Sequence, residues 1–138
     1  MRLRPGTTLY VWIALGSGIG GVARAWCVQL SSGVFGEAFP WGILLVNVLG
    51  SLIIGAFFGY AGAGGSLRVR PAAAHFVTTG ICGGYTTFSA FSLDTLNLIR
   101  DGRPVAAGAN AILSVALCLL FVWAGYALAS RLSRPRTS

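Results

Sequence analysis

The sequence predicts an all-α integral membrane protein with four transmembrane helices, the third of them broken near its middle. Of the 138 residues, 55 % are hydrophobic and only 9 % are charged, whereas a soluble domain carries roughly a quarter charged residues. Four apolar stretches each approach the roughly 20 residues that cross the hydrocarbon core of a bilayer. The third stretch contains the run Gly83-Gly84-Tyr85-Thr86-Thr87 at its centre, and such residues weaken a helix.

The four spans follow one another with short connections. We predict them at about residues 9–30, 42–61, 71–99 and 104–129. The connections contain Gly, Pro and Ser, which favour turns. No linker indicates a second domain, so residues 1–138 are predicted to form a single four-span membrane domain.

Small residues recur at intervals of four in the first two spans. They are Gly16 and Gly20, followed by Ser51, Gly55 and Gly59. This spacing lets two helices approach closely in lipid. The sequence leaves two interpretations open, because the same stripes suit packing within one chain and the interface of a dimer.

The third span is predicted to break at residues 83–87. A break at membrane depth is tolerated only where it is buried in protein or lines a water-filled cavity. The carbonyl groups that end the first half suit a cation such as Na⁺, and the N–H groups that begin the second half suit an anion. Thr87 is the expected N-cap of the second half. Phe88 and Phe91 lie three residues apart on one face, and the positive edges of their rings suit an anion.

Polar side chains in the other spans extend this pattern. Asn47 lies in the middle of the second span, and Asn110, Ser114 and Cys118 follow one face of the fourth span. Neutral hydrogen-bond donors of this kind can solvate an anion without trapping it. Arg24 is the one basic residue inside a span. It suits either an interfacial position or a vestibule that attracts anions.

The charged residues indicate orientation. All ten basic residues are Arg, and the formal net charge is +7. Seven of them flank apolar stretches on the side of both termini: Arg2, Arg4, Arg68, Arg70, Arg131, Arg134 and Arg136. The positive-inside rule places this side in the cytoplasm, and the pattern predicts a multi-pass protein of the inner (plasma) membrane with a lipid bilayer, not a nucleic acid, as its partner.

Three motifs give the sequence a family resemblance. They are Gly20-Gly21-x-x-Arg24, Trp41-Gly-x-x-x-Val-Asn47-x-x-Gly50 and Gly80-x-x-Gly83-Gly84-x-Thr86-Thr87-Phe88-Ser89-x-Phe91-Ser92. Together they resemble the Fluc/CrcB fluoride channel family over essentially all four spans. The third motif is long and specific.

The resemblance implies a fluoride-selective channel that exports fluoride passively and lowers its toxicity in the cytoplasm. It implies an antiparallel, dual-topology dimer with a structural Na⁺ at the interface, held by the backbone oxygens of Gly83 and Thr86. Arg24 would line the vestibule. The implied fluoride pore residues are Asn47, Thr87, Phe88, Ser89, Phe91 and Ser114. The sequence departs from the family pattern at Ile43, Ala90, Asp94 and Cys118.

Several alternatives remain open at this point. A homodimer needs little orientation bias, yet the two sides carry seven and two arginines, which also suits a heterodimer with an oppositely oriented paralogue. The chain could then be a non-conducting partner subunit. A small proton-coupled exporter of cationic drugs would need a carboxylate within the membrane, and only Asp94 could serve. We expect no enzyme activity, because one His, three separated Cys and three acidic residues provide no catalytic constellation.

Overall fold

The computed structural model describes residues 5–61 and 69–133, and every regular element in these two ranges is helical. The elements in chain order are α1 (Pro5–Phe35), α2 (Trp41–Ala61), α3 (Pro71–His75), the π-helix π1 (Phe76–Cys82), α4 (Gly83–Tyr85), α5 (Phe88–Arg100) and α6 (Pro104–Ser133). Within these ranges, three helices (α1, α2 and α6) are long and apolar enough to cross a membrane. The chain is therefore an all-helical, multi-pass membrane protein.

The remaining segment is divided by a break. Helical structure runs through α3, π1 and α4, then stops at Thr86 and Thr87, which have extended backbone angles. This position falls within the range 83–87 given by the sequence, but Gly83–Tyr85 stays helical. The reason is that the Thr86 N–H and Oγ1 both donate to the carbonyl oxygen of Cys82, each at 2.9 Å, and so close the last turn.

Glycines bring α1 against π1 and α4. A Cβ atom added at Gly16 would lie 2.7 Å from the carbonyl oxygen of Phe76. At Gly20 it would overlap the carbonyl oxygen of Ile81 and lie 2.7 Å from the Tyr85 nitrogen. These contacts follow both helices in the same direction, so α1 runs parallel to the first half of the broken segment.

A second glycine seam joins α2 to α6. A Cβ added at Gly55 would overlap the carbonyl oxygen of Val122, and one at Gly59 would lie 2.6 Å from that of Tyr126. Ser133 Oγ also donates to the Gly59 carbonyl oxygen. Both small-residue stripes are thus used for packing within the chain.

The helix ends match the predicted charge asymmetry where the structure describes them. The contacts of α1 with the broken segment and of α2 with α6 place Arg70, just before α3, and Arg131, in the last turn of α6, at the same end of the bundle. The other five arginines of that set lie outside the described residues: Arg2, Arg4, Arg68, Arg134 and Arg136. The helices also extend beyond the predicted spans, since α1 covers Pro5–Phe35 and α6 continues to Ser133.

The Gly20 contact provides a test of the packing. We expect Gly20→Ala to lower the free energy of unfolding by about 1–3 kcal/mol, because the added methyl group would meet backbone atoms, which cannot rotate away as a side chain can. Gly21→Ala is the matched control, because a Cβ there meets no atom within 4 Å. Unfolding in detergent micelles measures both variants, and equal stability of the two would contradict the close approach.

Candidate functional site

The carboxamide of Asn47, on α2, holds the backbone of the break. Its Oδ1 accepts a hydrogen bond from the Thr87 N–H at 2.8 Å, and its Nδ2 donates to the Thr87 carbonyl oxygen at 3.1 Å. In a continuous helix the Thr87 N–H would donate to the carbonyl oxygen of Gly83. Asn47 therefore replaces a helical hydrogen bond and leaves the Gly83 carbonyl free of that donor.

The rest of the break is shaped by neighbouring small and hydroxyl residues. Thr87 caps α5, as the sequence predicts, because its Oγ1 accepts from the Ala90 N–H at 3.2 Å. Gly50, one turn after Asn47, has no side chain where the Thr86 methyl group packs, and a Cβ there would overlap it. One face of α2 thus provides both the amide that binds Thr87 and the space that Thr86 needs.

A cavity of about 390 Å³, which we call the central cavity, adjoins the break. Its walls come from α2, π1, α4, the break, α5 and α6. It brings together most residues that the sequence indicated for the pore and the ion site: Asn47, Gly83, Thr86, Thr87, Phe88, Phe91 and Ser114. Cys118, one of the departures from the family pattern, also lines it.

Two aromatic rings lie at the start of α5. The centroids of Phe88 and Phe91 are 5.4 Å apart, with the planes inclined at 46°. Phe88 is 78 % exposed, so a large apolar side chain at the break has little cover from its own chain. Ring edges carry the positive part of the quadrupole, so edges of these rings that face an anion would attract it.

Ser114 is the polar group of the central cavity that lacks a partner. The residue is only 6 % exposed, and among the residues that the structure describes its Oγ is the one buried side-chain polar atom without a hydrogen bond. Buried polar groups in native proteins are almost always paired. This oxygen is covered by the chain, so Ser114 borders the cavity without presenting its hydroxyl to it.

Arg24 and Ser89 lie elsewhere. They line a second, open cavity of about 680 Å³, which we call the outer cavity, together with Thr87, Ile43 and Ala90. Thr87 lines both cavities, so the break lies between them. The predicted pore residues are thus divided into two groups, with Ser89 on the side of Arg24.

The chain's three acidic residues line a third cavity of about 430 Å³ near the α1–α2 connection. Glu37, Asp94 and Asp101 contribute to its walls with Arg103. In the ranges 5–61 and 69–133, no group of three or more His, Cys, Asp or Glu side chains converges as a metal site. Asp94 lies in this cavity and not in the central one, so it is separated from the break.

Asn110 is a residue whose role sequence reasoning missed. The sequence places it in the same row as Ser114, yet it lines none of the three cavities described above. It is 2 % exposed, and its Nδ2 donates at 2.9 Å to Thr95 Oγ1, which donates to the Phe91 carbonyl oxygen. Asn110 therefore attaches α6 to α5 one turn beyond Phe91, whereas Asn47 holds the beginning of α5. The spacing of four gave no signal that separates it from Ser114.

With this geometry established, comparison with known proteins identifies the family. The family model described as "CrcB-like protein, Camphor Resistance (CrcB)" matches residues 11–126. The chain belongs to the CrcB family. The match includes every residue of the break and of the central cavity.

Curated relatives agree over nearly the whole chain. A protein of Methylocella silvestris named "Fluoride-specific ion channel FluC" is 48 % identical over 92 % of this chain and 97 % of its own length. Rhodopseudomonas palustris has two such CrcB relatives, named FluC 1 and FluC 2. FluC 1 is 46 % identical over 96 % of this chain and 94 % of its own length, and FluC 2 is 42 % identical over 86 % and 91 %. These names describe channels and not enzymes, in agreement with the sequence prediction.

The Asn47 contact can be tested through stability in this CrcB chain. We expect Asn47→Leu to lower the free energy of unfolding by about 1–3 kcal/mol for each Thr87 group left without a partner. Ser51→Ala is the matched control, because Ser51 Oγ bonds only to the Asn47 carbonyl oxygen of its own helix. Thermal unfolding in detergent compares them. A loss no larger than that of the control would show that the break does not depend on Asn47.

Proposed function

We propose that this chain is a fluoride-selective channel through which fluoride leaves the cell passively, down its electrochemical gradient. The observation that carries the proposal is the central cavity, which Thr87, Phe88, Phe91 and Ser114 line beside a helix break. The relatives in the same family are named fluoride-specific ion channels. Passive export of this kind would lower fluoride toxicity in the cytoplasm.

The site would replace the hydration shell of a small anion with neutral donors. The N–H groups of Thr87 and Ala90 are engaged by Asn47 and by Thr87 Oγ1, which leaves those of Phe88 and Ser89 at the positive end of α5. Asn47 Nδ2 donates one of its two hydrogens to the Thr87 carbonyl oxygen, and the second would be available to an anion. Arg24 would attract anions into the outer cavity, and Thr87 would pass them to the central cavity.

We further propose that the working unit has four spans per chain and is a dimer of oppositely oriented chains. A row of small and polar residues on the broken segment, His75, Thr79 and Gly83, is exposed, as are Ser89 and Ser92 beyond the break. Polar backbone at membrane depth needs protein or water around it. A second copy would cover this face and the exposed Phe88 ring.

The second chain of the dimer must have the opposite orientation in the membrane, and it is either a second copy of this chain or a paralogue. The arginine bias favours one orientation of this chain, and a single organism can contain both a FluC 1 and a FluC 2. A homodimer and a heterodimer with an oppositely oriented paralogue both fit this pattern. In either case the dimer would lie in the inner (plasma) membrane.

A structural Na⁺ would fit at the carbonyl oxygens of Gly83 and Thr86. The Thr87 N–H donates to Asn47 Oδ1 and not to the Gly83 carbonyl oxygen. Gly83 is exposed on the face that the second chain would cover. Carbonyl oxygens are hard ligands, and the C-terminal end of a helix carries partial negative charge. When bound, Na⁺ would supply positive charge between the helix breaks of the two chains.

The exporter hypothesis is not favoured. It requires a carboxylate on the transport pathway. Asp94 lines the third cavity, near the α1–α2 connection, and not the central cavity.

Fluoride efflux from liposomes that contain only this chain tests the proposal. We expect rapid fluoride release, read with a fluoride electrode, and no release from matched liposomes loaded with chloride. If this chain alone releases no fluoride and release begins when a FluC paralogue is added, the chain belongs to a heterodimer. No fluoride release with or without the paralogue, or chloride release equal to fluoride release, would contradict the proposed channel.

The aromatic pair gives a second test. We expect Phe88→Ile and Phe91→Ile each to reduce fluoride flux at least about tenfold, because the aliphatic side chain stays apolar but has no positive ring edge. Phe58→Ile is the control, since Phe58 is exposed and lines none of the cavities described above. Size-exclusion chromatography verifies that each variant keeps its assembly. Undiminished flux in both α5 variants would exclude the ring edges from the pathway.

A further inference from the structure

Asn110 of α6 is joined to Thr95 of α5 by a buried hydrogen bond. Asn110 is 2 % exposed, and its Nδ2 donates to Thr95 Oγ1 at 2.9 Å. The same hydroxyl donates to the Phe91 carbonyl oxygen at 2.8 Å. Against the described residues of the chain, Leu98 is the one buried residue of α5, so apolar packing holds this helix only weakly. The Asn110–Thr95 bond therefore matters more for the position of α5 than it would in a well-packed helix.

The geometry of the two helices relates this bond to the central cavity. A connection of three residues, 101–103, joins α5 to α6, and helices with such short connections are antiparallel neighbours. Residues four apart share a helix face. One turn further from the connection than Thr95 and Asn110, the same faces carry Phe91 on α5 and Ser114 on α6. Both of these residues line the central cavity, so the bond lies at the end of the cavity that is nearer the connection.

The two rows of side chains continue along the cavity beyond this pair. Phe88 on α5 and Cys118 on α6 come next, and both line the cavity. The rows are thus joined by a hydrogen bond at one end and separated by the cavity beyond it. The separation of the two aromatic rings from α6 therefore depends on the place where the rows are joined.

We propose that Asn110 is a positioning residue of the fluoride pathway, because it holds Phe91 in its place on the cavity wall through Thr95. Asn47 already fixes the beginning of α5 at Thr87. The second attachment lies two turns further along the helix, and two attachments at different levels prevent α5 from turning about either one. The position of the ring depends on the structure alone, and only its effect on flux rests on the proposed channel function.

Three variants of the full-length chain separate positioning from stability. Thr95→Val leaves the buried Asn110 amide without its acceptor, Asn110→Leu removes the amide, and the double variant Asn110→Leu/Thr95→Val removes both groups. An unpaired buried polar group costs more than an apolar pair of similar shape. We therefore expect the double variant to melt at a higher temperature in detergent than Thr95→Val.

Fluoride flux should not follow this recovery. All three variants lack the bond, so each should lose fluoride efflux from liposomes at least about tenfold. If the double variant recovered efflux together with its melting temperature, the role of Asn110 would be merely structural and the positioning role would be overturned.

Ser133→Ala is the matched control. Ser133 is a buried residue of α6 whose Oγ donates to the Gly59 carbonyl oxygen of α2, and it lines none of the three cavities described above. We expect this variant to melt at a lower temperature and to keep its efflux. A loss of efflux as large as that of Asn110→Leu would show that flux reports general stability, and it would count against the proposal.

A spectroscopic measurement reads the position of the ring without any flux. 4-Fluorophenylalanine is incorporated at position 91 of the purified chain, and its ¹⁹F resonance is recorded in detergent. We expect one sharp resonance in the chain without further substitutions and in Ser133→Ala. The three variants that lack the bond should show a resonance that is broadened or is shifted by more than its linewidth.

The two measurements keep the positioning and the channel function apart. An unchanged ¹⁹F resonance in all three variants would overturn the positioning, whatever the flux. A moved resonance with undiminished efflux would support the positioning and overturn its effect on fluoride. If the chain without substitutions released no fluoride with or without a FluC paralogue, the channel would be contradicted, and the resonance would still decide whether Asn110 positions Phe91.

Discussion

The break between α4 and α5 depends on one side chain that takes the place of helical partners. Asn47 meets both backbone groups of Thr87, and in lipid neither group has water as an alternative. Because Thr87 turns to Asn47, the Gly83 carbonyl is released and the positive end of α5 faces the cavities. The features from which an ion site can be built all follow from this exchange of hydrogen bonds.

Close packing makes that exchange geometrically possible. A carboxamide can reach Thr87 only if α2 and the break stay at a fixed separation, and Gly50 sets it by leaving room for the Thr86 methyl group. On the far side, Gly20 of α1 contacts the backbone of π1 and α4 directly. The middle of α5 is held by Asn110 through Thr95. Packing and hydrogen bonds thus hold the chain on both sides of the break.

The sequence predicted the features that are determined locally. The run Gly83-Gly84-Tyr85-Thr86-Thr87 contains residues that weaken a helix, which indicated a break although only the two threonines leave the helix. Thr87 caps α5 with its own hydroxyl, which a short stretch of chain also indicates. The partner of Asn110 and the cavity that Ser89 lines depend on how α5 is rotated against its neighbours. Residues spaced by four share a helix face, but the spacing does not reveal that Asn110 binds α5 while Ser114 borders the cavity. The π-helix likewise has no local signature.

In the proposed channel, the separation of charge from the central cavity would let the site bind an anion and release it. A guanidinium beside the break would hold an anion strongly, since Coulomb attraction grows as the surrounding dielectric falls. Arg24 instead lines the wider outer cavity, and Thr87 stands between it and the neutral donors of the central cavity. Conduction requires binding that is favourable enough for entry and weak enough for exit. In the channel that we propose, attraction by Arg24 outside and contacts with neutral residues inside would meet these two requirements with different residues.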